Sequence, residues 1–224
     1  MKPAAHPAVA RVVPFVIFIA FLPVGQALQS LLPDADLRWL YGVQVLLTGL
    51  ALALFWREYG ELHVRAAVRM RDVPVAIFSG ILVFALWISL DYPILRLGDA
   101  GAGFDPRLSD GGLDFALVSL RVAGAVLVVP IMEELFWRSF LARWIDRPGF
   151  LEHLPQRLSM RAIALSSIVF AVEHTLWVAG LLAGIVYAAL YRYSGNLWIP
   201  ILSHAVTNGM LAWWVLHTEN WQFW

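Results

Sequence analysis

The chain has 224 residues, of which 60% are hydrophobic and 14% charged, with a mean hydropathy of +0.71; soluble domains average about 25% charged residues, so the composition excludes an ordinary soluble protein and reads as a polytopic membrane protein. Sixteen basic and sixteen acidic residues cancel, and Lys2 is the only lysine, which leaves no basic field for a phosphate backbone and excludes nucleic acid as the main partner. Cysteine is absent, so disulfides, thiolate nucleophiles and Cys-ligated metal centres are excluded, and carboxylates, imidazoles and hydroxyls must carry any chemistry.

About 20 apolar residues cross a bilayer core as a helix. Val9 to Leu28 is the first such run; it is long for a signal-peptide core and further spans follow closely, so it reads as a retained span. Leu37 to Trp56 is the second, with Trp39 and Trp56 near its ends as interfacial anchors. Pro74 to about Tyr92 is the third. The polar, glycine-rich stretch Asp91 to Asp114 reads as a flexible connector. A fourth helix starts near Leu113, stays apolar through Pro130, then carries Glu133, Glu134 and Arg138 and runs out near Ile145. Arg161 to Ala179, Leu181 to Tyr193 and Leu197 to Leu216 are spans five, six and seven, the sixth short, with breaks at Gly180 and at Ser194 to Asn196. The expected architecture is all-α: a bundle of about seven transmembrane helices in a single domain over residues 1–224.

Arginines orient the bundle. The loop Arg57 to Arg71 holds four, at 57, 65, 69 and 71, and the segment Arg143 to Arg161 holds four more, at 143, 147, 157 and 161. Both should be cytoplasmic. The N-terminus is then cytoplasmic and the tail His217 to Trp224 outside. Because the long basic segments flank spans four and five, substrate entry is expected from the cytoplasmic half.

Ionisable residues within membrane spans are costly, so they face the bundle interior and mark function. From about 1.5 Å of rise per residue, Glu133 lies about 18 Å from the cytoplasmic boundary, His174 about 21 Å, His204 about 12 Å and Asn208 about 18 Å. Three spans thus deliver polar groups to one layer. His204 and Asn208 share a helical face at i,i+4, whereas Glu133 and Glu134 diverge by about 100°. Glu134 and Arg138, also i,i+4 with the acid first, read as a structural ion pair. Glu133 is left free, and a carboxylate without a cationic partner suits a general base for water. Glu173, on another face from His174, reads as a helix-packing or cavity-lining acid.

These residues carry a family resemblance. Glu133-Glu134-Leu135-Phe136-Trp137-Arg138 resembles the EExxxR motif, Phe170-Ala171-Val172-Glu173-His174 the FxxxH motif, and His204-Ala205-Val206-Thr207-Asn208 the HxxxN motif of the CAAX-protease and bacteriocin-processing (CPBP, or Abi) family of intramembrane proteases. Their order agrees, and the likeness runs from about Val118 to Leu216. The resemblance implies hydrolysis of a peptide bond in a peptide or lipidated protein substrate by a glutamate-activated water. Glu133 would be the base, His174 would hold and polarise the water, and His204 with Asn208 would stabilise the oxyanion; no cofactor is expected. The short chain and the end Glu219 to Trp224 also resemble the CAAX-protease-related proteins of bacterial exosortase systems, implying a bacterial inner membrane and an exosortase-system partner.

Three other readings compete. Two Glu and two His could hold zinc in a membrane hydrolase, although HExxH is missing and Asn208 is a poor zinc ligand. A non-catalytic chaperone or immunity partner could keep the fold and hold a peptide. A transporter could use Glu and His as a proton relay.

Overall fold

The computed structural model describes residues 6–63, 68–98 and 103–224; Lys2, Arg65, Asp99 and Gly101 lie outside them. The described residues form seven helices: α1 (Pro7–Leu31), α2 (Leu40–Leu54), α3 (Asp72–Ser89), α4 (Phe115–Asp146), α5 (Met160–Val172), α6 (Trp177–Ser194) and α7 (Trp198–Thr218). α1, α3, α4 and α7 are long and apolar enough to cross a membrane, while α2 and α5 are shorter apolar helices. The chain is an all-α polytopic membrane protein.

Local chemistry sets the helix ends. Asp114 caps α4 by accepting from the amides of Ala116 and Leu117, and the Ser159 hydroxyl caps α5 by accepting from the Ala162 amide at 3.0 Å, each satisfying N–H groups that the first turn leaves free. Gly195 ends α6 at φ 68, a left-handed conformation that costs glycine nothing.

Two expectations are corrected. The fifth helix stops at Val172 rather than Ala179. The cause is His174: its Nδ1–H donates to the Phe170 carbonyl at 2.8 Å, the acceptor its own amide would use in a continuing helix, and that amide turns to Ala171 instead. Gly180 therefore lies inside α6, which has 18 residues and is not short. Second, in the stretch Asp91 to Asp114 the described residues, 91–98 and 103–114, are no loose connector. The Leu97 amide donates to the Thr175 carbonyl at 2.7 Å and the Phe104 amide to the Trp224 carbonyl at 3.1 Å. Arg38, before α2, donates to the carbonyls of Asp105 and Arg107.

The arginine-rich end is tied just as firmly. Arg11 on α1 is buried and pairs with Glu61 at 2.6 Å. The Ser139 hydroxyl on α4 also bonds Glu61, and Arg143 donates to the carbonyls of Leu151 and His153 at 2.9 Å. Both charges of the Arg11–Glu61 pair are thus hydrogen-bonded beyond each other, which a buried pair requires.

α3 and α7 pack with almost no gap. A Cβ at Gly80 would stand 2.8 Å from the Val206 Cβ and overlap the Ser203 carbonyl oxygen, a small-residue contact of the kind that brings membrane helices together. Gly80→Val is expected to destabilise the protein by about 1–3 kcal/mol through overpacking, read as a lower unfolding midpoint in detergent. Gly49→Ala, inside α2 where nothing lies within 4 Å of the added carbon, should leave the midpoint unchanged or raise it; equal behaviour of the two variants would refute this packing.

Candidate active site

α4 builds one wall of a cavity of about 210 Å³. Arg121, Ala125, Val129 and Glu133, four residues apart, all line it. In an ideal helix, positions twelve apart drift by about 120°. The drift is absorbed because Gly124–Val128 is π-helical, with i→i+5 bonds and wider turns. Pro130 explains the widening. It has no N–H, and its ring would press on a preceding carbonyl in a regular helix. The Val129 amide reaches back to Gly124, and the Ala125 carbonyl, whose i+5 partner would be Pro130, accepts from Asn208 Nδ2 on α7 at 2.7 Å. A proline in α4 therefore holds Asn208 in place.

Glu133, Glu134 and Arg138 are all buried. Glu134 serves two partners: Oε2 lies 3.1 Å from Arg138 Nε, and Oε1 accepts from His204 Nδ1 at 3.0 Å. The i,i+4 pair read from the sequence is present, and it also holds a histidine from α7. Arg138 lies over the rings of Phe170 and Tyr187, 4.6 and 5.2 Å from their centroids. Tyr187 stacks on His204 at 4.8 Å, and its hydroxyl donates to Thr207 Oγ1 at 2.8 Å; Thr207 in turn donates to the Gly80 carbonyl.

Glu133 differs from its neighbour. The Oε2 of each is buried with no hydrogen-bond partner, but Glu133 joins no ion pair among the described residues, and it lines the cavity together with His174, His204 and Asn208. The four residues that the sequence assigns to catalysis are thus gathered around one space, and the two assigned to the ion pair stand behind it. Both imidazoles give Nδ1–H to a protein oxygen, leaving each Nε2 for another partner. Trp87 on α3 stands edge-on to His174 at 5.3 Å.

Some expectations fail. Glu173 is exposed, not cavity-lining, because the turn after α5 points it away. The cavity does not run to the arginine-rich end. It extends along α4 toward Tyr41, Phe223 and Trp224, at the opposite end of the bundle, because His174 sits at the far end of α5. The fourth span is not uniformly apolar before Pro130 either: Arg121 interrupts it and lines the cavity. That arginine was the signal available for the outer part of the cavity. Tyr187 and Trp87 gave none, since an aromatic residue in an apolar span reads as core.

Residues 115–210 match the family model described as Type II CAAX prenyl endopeptidase Rce1-like. The match is to the CAAX-protease (CPBP) family. It contains every motif position from Glu133 to Asn208 and stops short of the tail, so the CAAX-protease match covers α4 to most of α7 and leaves α1 to α3 outside. No curated protein and no solved structure matches the chain.

The two glutamates should separate in stability measurements. Glu134→Gln leaves Arg138 a buried cation without its carboxylate, expected to cost about 3–5 kcal/mol. Glu133→Gln removes no partner and should shift the unfolding midpoint in detergent little. Equal losses from both would contradict the division of roles.

Proposed function

We propose that the protein is an intramembrane glutamic-type endopeptidase that hydrolyses a peptide bond of a membrane-associated peptide or lipidated protein. The match of residues 115–210 to the CAAX endopeptidase family model supports a membrane protease. The observation that carries the mechanism is that Glu133, whose Oε2 is buried without a hydrogen-bond partner, lines one cavity with two imidazoles and Asn208.

Glu133 takes a proton from water as the oxygen attacks the peptide carbonyl. His174 orients that water: with its Nδ1–H given to Phe170, Nε2 accepts a hydrogen bond from it. His204 and Asn208 donate to the oxyanion. Asn208 has a second N–H hydrogen beyond the one given to Ala125. His204 gives Nδ1–H to Glu134, and with Nε2 also protonated it presents a donor to the developing negative charge, where donors held in a water-poor site are most effective. Glu133 then passes its proton to the leaving amine, and the tetrahedral intermediate collapses to acid and amine.

With the arginine-rich end in the cytoplasm of a bacterial inner membrane, the N-terminus is cytoplasmic and the cavity mouth faces outward. The tail that resembles exosortase-associated proteins sits at that mouth, which is where an exosortase-system partner would meet it. Zinc is the second reading, favoured by one observation: both imidazoles are oriented through Nδ1, as metal-ligating histidines are. A catalytic zinc takes three protein ligands, and among the described residues no three His, Asp or Glu gather closely enough to hold a metal.

Glu133→Gln should abolish cleavage of membrane peptides while preserving insertion; more than a tenth of wild-type turnover would sink the assignment. His174→Ala and Asn208→Ala should each slow turnover about 10²-fold or more, the scale of losing one oxyanion donor. Losses under fivefold at both would leave them packing residues. Activity should survive a chelator, and loss restored by about one zinc per chain would hand the site to the metal reading.

A further inference from the structure

Arg121 is a cation without an anion. Its Nε is buried and makes no hydrogen bond, and no ion pair among the described residues includes it. Its guanidinium lies 4.2 Å from the centroid of the Tyr41 ring and 5.3 Å from that of Phe104. Those two rings hold it at the wall of the same cavity that ends at Glu133. Tyr41 is itself held close to α4, since a Cβ at Gly124 would stand 2.6 Å from its hydroxyl. A snorkelling arginine reaches for water; this one is clamped between two aromatic faces. An unpaired charge inside a membrane helix is costly and marks a functional site.

We infer that Arg121 is a specificity-determining residue that binds a carboxylate of the peptide substrate. The inference rests on the peptidase reading of the cavity and adds the substrate's chemistry to it. A guanidinium presents parallel N–H donors matched to a carboxylate, and two flat rings fix the plane in which they point. Arg121 and Glu133 are twelve residues apart, about 18 Å of helix. An extended chain covers about 3.3–3.6 Å per residue, so the recognised carboxylate sits roughly five residues from the bond that is cut. It is either the substrate's C-terminal carboxylate or an Asp or Glu side chain. The separation of charge along the cavity gives a bound peptide its direction: the anionic end stays near Arg121, away from the carboxylate of Glu133, and places a backbone carbonyl at the base.

The test reads binding, so it is independent of turnover. Purified Glu133→Gln protein in detergent is titrated with three acetylated probes, followed by tryptophan fluorescence, to which Trp87 and Trp224 at the cavity wall respond. The first is the apolar pentapeptide Ala-Leu-Ala-Leu-Leu with a free C-terminal acid, the second its C-terminal amide, and the third that amide with glutamate at its last position. The free acid should bind at least tenfold more tightly than the amide, the worth of a charge-assisted bond. Arg121→Gln in the same background should erase the difference, and Arg121→Lys should retain part of it. Amide-level binding of the glutamate probe assigns the site to a chain terminus, and acid-level binding to either source. Equal affinity of all three probes overturns the inference, as does a preference that survives Arg121→Gln or no binding of any probe, whereas tighter binding of the glutamate probe alone assigns the site to a side-chain carboxylate. Should Arg121→Gln not fold, the acid-to-amide comparison with arginine in place decides alone. Acid preference without any cleavage by the wild-type protein would leave this inference standing and defeat the peptidase reading.

Discussion

The arrangement depends on one carboxylate having to satisfy two partners, an arginine and a histidine, from different parts of the chain. Glu134 is fully buried and meets Arg138 on its own helix and His204 on α7. At that depth, an unmatched charge costs several kcal/mol, so the three groups hold one another to a narrow set of positions. His204 fixes α7 against α4, Tyr187 stacked on His204 fixes α6, and Phe170 under Arg138 fixes α5. The neighbouring Glu133, rotated by about 100°, is thereby presented to the cavity without a partner. Adjacent identical residues take opposite parts because a helix cannot point both the same way.

The number and order of the helices were legible in the sequence because apolar length is a direct demand of the bilayer. Helix ends were less so. The end of α5 depends on a side chain taking a backbone acceptor, since His174 donates to Phe170, and hydropathy carries no trace of that exchange. The anchoring of Leu97 and Phe104 in the loop before α4 was hidden for a similar reason. Glycines and aspartates look mobile in a list of residues, yet Phe104 and Leu97 are pinned by backbone groups more than seventy positions away.

Within the site, spacing told which residues share a face: the i,i+4 rule separated Glu134 and Arg138 from Glu133 and joined His204 to Asn208. It could not tell which helix each would meet. The bond from His204 to Glu134 joins residues 70 apart and is a product of tertiary packing. The mouth was misplaced because basic loops report the orientation of a membrane protein and say nothing of where a cavity opens.

The wide turn at Gly124–Val128 has a consequence for how this helix tolerates change in length. Because the π-helical turn accommodates one residue more than a regular turn would, removing one there would restore ordinary pitch. The span would still be long enough to cross the bilayer. Arg121 and Glu133 would then stand about eleven residues apart in a regular helix, a drift of only about 20°, so both would stay on the cavity wall, whereas one added residue would leave about 120° unabsorbed and carry Arg121 off it. The fourth helix thus has a reading frame in space as well as in sequence. A one-residue insertion that hydropathy would score as silent would be a frameshift of the wall, changing what the cavity recognises while leaving the hydrolytic residues in phase.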